Sequence, residues 1–268
     1  SNMKKIVITG GLGYIGTELC KIYSGYSWND KITVIDNRFI SERVNQIRNW
    51  NMNFVHGDIL DKDLIKKYCT DADVVHHLAG VTDVPRVKSE SNSENDTKIK
   101  LVAEDGTQNI LDVITDECKI ILPSTHVVYE GLEKVKTDIL EEEETKPVLA
   151  YASSKAINEE QLKKSGKNFI ILRLGSVYGY SSDTARIDIL PNLFSKISSQ
   201  DGTLKLFAGG RQLKSLVPLI DVARCFKFME ERNDISGEIF NLTKDTVTVK
   251  QVAEICKKHN PKVELKET

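Results

Sequence analysis

An excess of basic residues is missing from this chain: 37 lysines and arginines stand against 39 aspartates and glutamates, a net charge of −2. The electrostatic footprint of a nucleic-acid binder is therefore absent, and no nucleic-acid partner is expected. Long apolar runs are missing too. None approaches the roughly 18 residues that span a bilayer, and no signal-peptide pattern precedes the first hydrophobic run. The expectation is a cytoplasmic protein with no membrane partner. Cysteine is sparse and scattered. Cys20, Cys69, Cys118, Cys225 and Cys256 form no CxxC pair, which argues for reduced, buried thiols and against a metal site. Repeats and low-complexity tracts are absent. Ser1-Asn2 reads as an expression remnant, and the acidic run Glu141 to Glu144 as a solvated loop.

What is present is alternation. With 268 residues the chain can bury a full core. Short β-branched or leucine-rich runs (Ile6 to Ile8, Ile32 to Ile35, Phe54 to His56, Val74 to Leu78, Ile120 to Leu122, Phe169 to Leu174) are separated by segments of helical periodicity. The pattern predicts right-handed βαβ crossovers and an α/β fold, a Rossmann-type doubly wound parallel sheet over residues 3–175. From 176 to 268 the rhythm weakens. Helices are expected at Leu190 to Ser198, Asp221 to Met229 (Asp221 as N-cap) and Val249 to Lys258, with strands at Leu204 to Phe207 and Glu238 to Leu242. This tail reads as a smaller mixed α/β C-terminal lobe for substrate that covers the open edge of the first domain, with elements interleaved.

Ligands of such sheets sit beyond the carboxyl ends of the strands, so chemistry is sought there. The first strand runs into Gly10, Gly13 and Gly16, and a helical pattern begins at Tyr14-Ile15. A strand, glycine turn and helix start make a site for a pyrophosphate, because small residues allow close backbone approach and the helix end offers N–H groups. Asp36 ends the second strand, twenty positions after Gly16. A carboxylate there accepts from a ribose 2′-OH and repels a 2′-phosphate, favouring NAD over NADP; Arg38 nearby softens that preference. Asp58 is a candidate acceptor for the adenine amino group, while Ala79-Gly80, Ser124-Thr125 and Gly175-Ser176 close later strands. Within the fourth strand, at least one of His76 and His77 is expected to be a packed core histidine.

Tyr151 and Lys155, in YASSK, stand four apart on a helical segment and so share one face. A phenol of pKa near 10 is a poor base at neutral pH, but a cation one turn away stabilises the phenolate. A hydroxyl at Ser124 or Thr125 adds a group able to bond a substrate oxygen.

In this order the chain resembles the extended short-chain dehydrogenase/reductase family, and within it the NAD-dependent nucleotide-sugar epimerases and dehydratases. The carriers are TGGLGYIG (9–16), VIDN (34–37), HGDI (56–59), HHLAG (76–80), PSTHVVYE (123–130), YASSK (151–155), LRLGSVYG (172–179) and LIDVA (219–223). The resemblance implies Thr125, Tyr151 and Lys155 as catalytic residues. It implies dinucleotide contacts from Gly10, Gly13, Tyr14, Ile15, Gly16, Asp36, Asn37, Arg38, Asp58, Ile59, Leu78, Ala79, Gly80 and Ser124, together with Tyr151 and Lys155. Substrate contacts would come from Thr82, Thr125, His126, Ser176, Arg211 and Lys214. The implied cofactor is NAD, the partner a nucleotide-diphosphate sugar, and the assembly a homodimer joined through a four-helix bundle.

Departures narrow the reading. Where dehydratases of the family carry an Asp-Glu pair, this chain has His126 and Val127, and valine cannot titrate, so an epimerase is expected before a dehydratase. A dehydrogenase/reductase, or a non-catalytic NAD-binding sensor or scaffold, are the alternatives. The VYG glycine is Glu130, and the helix asparagine three before GT is Ala103. Lys214 replaces the arginine that grips the diphosphate, keeping the charge without the bidentate fork, with Arg211 a possible substitute. The chain stops at Thr268, sooner than most relatives, so a reduced substrate lobe is expected.

Overall fold

Strand residues apolar on both sides demand a helical layer on each face, and the chain supplies both. The computed structural model describes residues 3–26, 31–80, 93–125, 142–174, 176–178 and 216–242. In chain order these form β1 (Lys5–Thr9), α1 (Tyr14–Tyr26), β2 (Lys31–Asp36), α2 (Ser41–Asn49), β3 (Asn53–His56), α3 (Lys62–Cys69) and β4 (Val74–His77). There follow α4 (Ser93–Val113), β5 (Lys119–Thr125), α5 (Glu142–Lys164), β6 (Asn168–Leu174), β7 (Ser176–Tyr178), β8 (Leu216–Pro218), α6 (Leu219–Glu231) and β9 (Glu238–Leu242).

Seven strands make one parallel sheet in the order β3-β2-β1-β4-β5-β6-β9, while β7 and β8 pair by themselves. The order reverses between β1 and β4, which opens a crevice at the carboxyl end of β1. Alternate residues feed opposite cores. Ile6, Ile8, Val34, Ile121 and Ile170 pack with Leu19 of α1, Val44 of α2 and Phe226 of α6. Val7, Ile35, Val75, Ile120 and Ile171 pack with Ile65 of α3, Ile110 of α4 and Leu162 of α5. Ile121 is fully buried mid-sheet. Ile121→Ala should lower unfolding stability by about 2–5 kcal/mol, read as the urea midpoint at constant slope.

Several expectations are corrected. Pro123-Ser124-Thr125 lies within β5, paired with Leu172 to Leu174, instead of following it as a turn. A proline is tolerated because β4 pairs only up to Ile121, leaving β5 one neighbour at that level. The helix carrying YASSK starts at Glu142, so three glutamates of the supposed loop sit in its first turn, where acidic charge suits the helix dipole. Asp221 is inside α6, buried, and not its N-cap. Burial raises its carboxyl to about 6, against the partial relief of Arg224. Past residue 175, β9 joins the main sheet beside β6 and α6 packs on its face. Expected elements at 190–198, 204–207 and 249–258 lie outside the described residues. Among the described residues no helix is long and apolar enough to cross a membrane, and no acidic, histidine or cysteine cluster suits a metal ion.

Candidate functional site

At the head of β1 the chain turns under tight constraint. Gly10 has φ +68°, a region that disfavours residues with a Cβ, and its N–H donates to the Ile35 carbonyl at 2.7 Å. A Cβ on Gly10 would lie 2.6 Å from the Ala79 backbone nitrogen, and one on Gly16 2.6 Å from Gly11 Cα. The loop thus has room for backbone alone, wedged between β2 and the end of β4. Gly13 N–H closes back on the Gly10 carbonyl at 3.0 Å, and Thr17 donates to the Gly13 carbonyl through both its N–H and its hydroxyl. Helix α1 starts directly at Tyr14, bringing its positive end to the loop.

Asp36 is buried at the carboxyl end of β2. Its Oδ2 accepts from Leu12 N–H at 3.0 Å, and its two oxygens accept from the Arg38 backbone and guanidinium at 2.9–3.2 Å. Arg38 thereby leans across the loop, and a Cβ on Gly13 would come within 3.2 Å of its Nη2. Arg43 donates to the Leu12 carbonyl at 2.7 Å. Asn37 is exposed, its carbonyl accepting from His56 at 3.0 Å, and Ile59 is buried. Asp58 is exposed and bonds Leu60 N–H at 3.0 Å. Carboxylate and basic group are therefore paired at the carboxyl end of β2.

Both histidines of β4 are buried and point to opposite faces, as alternation requires. His76 meets the Tyr23 hydroxyl at 2.6 Å. His77 links Thr9 Oγ1 at 2.8 Å to Thr107 Oγ1 of α4 at 2.9 Å, and Ala79 N–H donates to the same Thr9 oxygen. This hydroxyl–imidazole–hydroxyl chain ties the ends of β1 and β4 to α4 just below the glycine loop. Sequence reading foresaw packed histidines but not these partners, which are distant in sequence. Burial lowers both imidazoles to about 3. The unfolded chain therefore binds protons first as pH falls: this contribution to stability is complete above pH 6.5 and drains away towards pH 3. Urea midpoints should fall between pH 7 and 5, and His77→Gln, which does not titrate, should shrink that fall.

The third group gathers at β5 and α5. Thr125 and Ser124 are buried at the end of β5. On α5, Lys155 is 1% exposed, and its Nζ has no hydrogen-bond partner among the described residues. That nitrogen lies 5.8 Å from the Tyr151 ring centroid. The expectation that the ammonium draws the phenol down is not met in this structure. Burial raises Tyr151 above the usual phenol range and lowers Lys155 to about 7, partly opposed by Glu159. Desolvation penalises the charged form of each, and without a direct bond the mutual attraction does not offset it. One turn beyond, buried Glu159 accepts from Ser124 Oγ at 2.6 Å and from the Arg173 guanidinium at 2.7–3.2 Å. Sequence reading missed this pair, although its spacing continues the series Tyr151, Lys155, Glu159.

The sheet order therefore brings Gly10, Gly13, Gly16, Asp36, Ala79, Gly80 and the strand end at Thr125 to one edge, with Leu78 buried beneath. Ser176 begins β7. Thr82, His126, Arg211 and Lys214 lie outside the described residues.

A family model described as the NAD dependent epimerase/dehydratase family matches residues 6–243. The chain is similar to a UDP-N-acetyl-alpha-D-glucosaminuronate decarboxylase of Bacillus cytotoxicus, 26% identical over 264 residues that cover 94% of this chain and 78% of the relative. Among solved structures it is similar to the UDP-glucose 4-epimerase of Thermotoga maritima with UDP-glucose, at TM-score 0.63 and 20% identity, covering 97% of this chain and 84% of that one. The Thermus thermophilus UDP-glucose 4-epimerase in complex with NAD matches at TM-score 0.59 and 21% identity, covering 97% and 84%.

Proposed function

Because the chain belongs to the NAD dependent epimerase/dehydratase family of enzymes, we propose that it is an epimerase of a nucleotide-diphosphate sugar, working with NAD through a transient keto-sugar. The observation that carries the reading is the buried Lys155 Nζ beside Tyr151, without a hydrogen-bond partner among the described residues, together with a loop that has no space for a Cβ at Gly10 or Gly16. Both features suit a bound dinucleotide: the lysine needs an oxygen acceptor, such as a ribose hydroxyl, and the loop leaves its backbone open to a pyrophosphate. Asp36 would hold the adenosine ribose, with Arg38 moving aside.

When bound, NAD⁺ supplies the hydride acceptor and later returns the hydride. The chain's own residues handle the proton. Tyr151 takes it from a sugar hydroxyl, and Thr125, at the neighbouring strand end, polarises that oxygen. Tyr151 and Lys155 titrate as a pair: neutral phenol with neutral amine, and phenolate with ammonium, differ only in where one proton sits. With Lys155 lowered to about 7 and Tyr151 raised by the same burial, moving the proton from phenol to amine is uphill in the protein alone, so the phenolate–ammonium arrangement needs the added field of bound groups. Supporting the epimerase outcome, Val127 removes the titrating partner a dehydratase uses at the next step. A homodimer through α4 and α5, which pack side by side, belongs to the same proposal.

The test is a screen of UDP-, GDP-, dTDP- and CDP-sugars. It includes a nucleotide-linked uronate, because the relative from Bacillus cytotoxicus is a decarboxylase of one. An epimerised product with no net NADH supports the proposal; stoichiometric NADH, water loss or CO₂ release would each replace it. Direct titration should show NAD binding more tightly than NADP, and equal affinities would contradict the role given to Asp36.

A further inference from the structure

Resting on the proposed catalytic pair, we infer that Glu159 is a positioning residue that sets the charge state of Lys155 and locks the Thr125 strand end to the catalytic helix. Glu159 stands one turn beyond Lys155 on α5, on the same face, and both are 1% exposed. Its carboxylate is fixed from two further elements. Ser124 of β5, adjacent to Thr125, donates to one oxygen at 2.6 Å, and Arg173 of β6 donates through two nitrogens at 2.7–3.2 Å. Ser124 and Arg173 are themselves paired across β5 and β6. Three elements therefore converge on one buried carboxylate immediately behind the reacting groups.

A carboxylate here does what a neutral side chain of equal shape cannot. Lys155 has no hydrogen-bond partner among the described residues, and among them Glu159 supplies the favourable field for its ammonium form. The other groups that face it do not compete. His77, reaching in from β4, is neutral over the working range because burial lowers it to about 3. Tyr151 on the same helix is an uncharged phenol until it reacts. Arg173, itself a cation, does not favour the ammonium and donates to Glu159 through Nε and Nη2; Thr107 of α4, bonded to His77, carries no charge. Favouring the ammonium favours the phenolate–ammonium arrangement, the one in which Tyr151 is a base.

The experiment is an NMR titration of the Lys155 side-chain Cε–Hε resonance in lysine-labelled full-length protein, with and without NAD, assigned by its loss in Lys155→Met. Glu159→Gln keeps the shape and the bond to Ser124 and should lower the Lys155 midpoint by roughly half a unit or more. Glu159→Asp keeps the charge and should stay within about 0.3 units of the wild type. The double variant Glu159→Gln/Arg173→Met removes the two paired charges together and, if the single variant does not fold, should show a smaller downward shift, because the Arg173 cation that opposes the ammonium is lost with the carboxylate. An unmoved midpoint in Glu159→Gln or the double variant, or a shift in Glu159→Asp as large as in Glu159→Gln, would overturn the assignment. No substrate is needed for this arm, so failure of the epimerase proposal reads out separately. With a turned-over sugar in hand, kcat at pH 7 should fall about tenfold in Glu159→Gln and its pH profile should narrow, where a merely structural role would lower kcat at all pH values alike.

Discussion

Tyr151→Phe should lose about 10²- to 10⁴-fold in turnover while still binding NAD. The substitution deletes one oxygen and keeps the ring, which sits partly buried near Lys155 Nζ. Neither His77 nor Ser124 stands ready to replace that oxygen as a base. His77 lies beneath the loop with both ring nitrogens engaged by Thr9 and Thr107, and Ser124 is bonded to Glu159. The two measurements separate the possible meanings. Turnover of a nucleotide sugar near the wild-type rate would remove Tyr151 as the base. Lost turnover together with lost NAD binding would place the residue in cofactor capture instead of proton transfer. Retained binding with lost turnover is the expected result.

Gly10→Ala should cost the protein both stability and cofactor affinity. The left-handed φ of +68° alone disfavours alanine by about 1–2 kcal/mol. The added Cβ would also stand 2.6 Å from the Ala79 nitrogen and 2.8 Å from its Cα, both backbone atoms that cannot swing away. The ends of β1 and β4 must then separate, which strains the Thr9–His77–Thr107 chain and the Ala79 N–H bond to Thr9. A total loss of roughly 2–4 kcal/mol is expected. Urea unfolding measures the stability, and calorimetric titration with NAD measures the loop. Gly25, at the solvent end of α1 with no atom within 4 Å of an added Cβ, is the matched control. Gly25→Ala should be neutral or slightly stabilising. A Gly10→Ala protein as stable as that control, with unchanged NAD affinity, would show the loop to be looser than its geometry implies.

Six strands of the parallel sheet were legible because each must be apolar on both faces, and Ile6 to Ile8, Ile32 to Ile35 and Ile120 to Leu122 are runs of that kind. The glycine loop was legible because only glycine tolerates the positive φ at Gly10 and the close backbone contacts at Gly10 and Gly16. Tyr151 and Lys155 were legible as a pair because four residues make about one helical turn. Local backbone geometry writes itself into residue type, and these features are local.

Other features depend on which segments meet, and residue type alone does not say so. Glu159, Ser124 and Arg173 belong to α5, β5 and β6, and no spacing rule links a helix carboxylate to a guanidinium two elements away. His77 could be read as packed, but its bonds to Thr9 and Thr107 exist only because β1, β4 and α4 adjoin. The same holds for the charge states. From spacing, a lysine near a tyrosine lowers the phenol; in the folded protein, burial raises Tyr151 and lowers Lys155 instead. The sequence by itself determined the alternation of strands and helices, the glycine turn and the shared helix face of Tyr151 and Lys155, since each follows from short-range sterics and periodicity. Only the tertiary structure decided which polar groups are dry, which are paired and which ammonium is left waiting for a partner, because desolvation is a property of everything packed around a group.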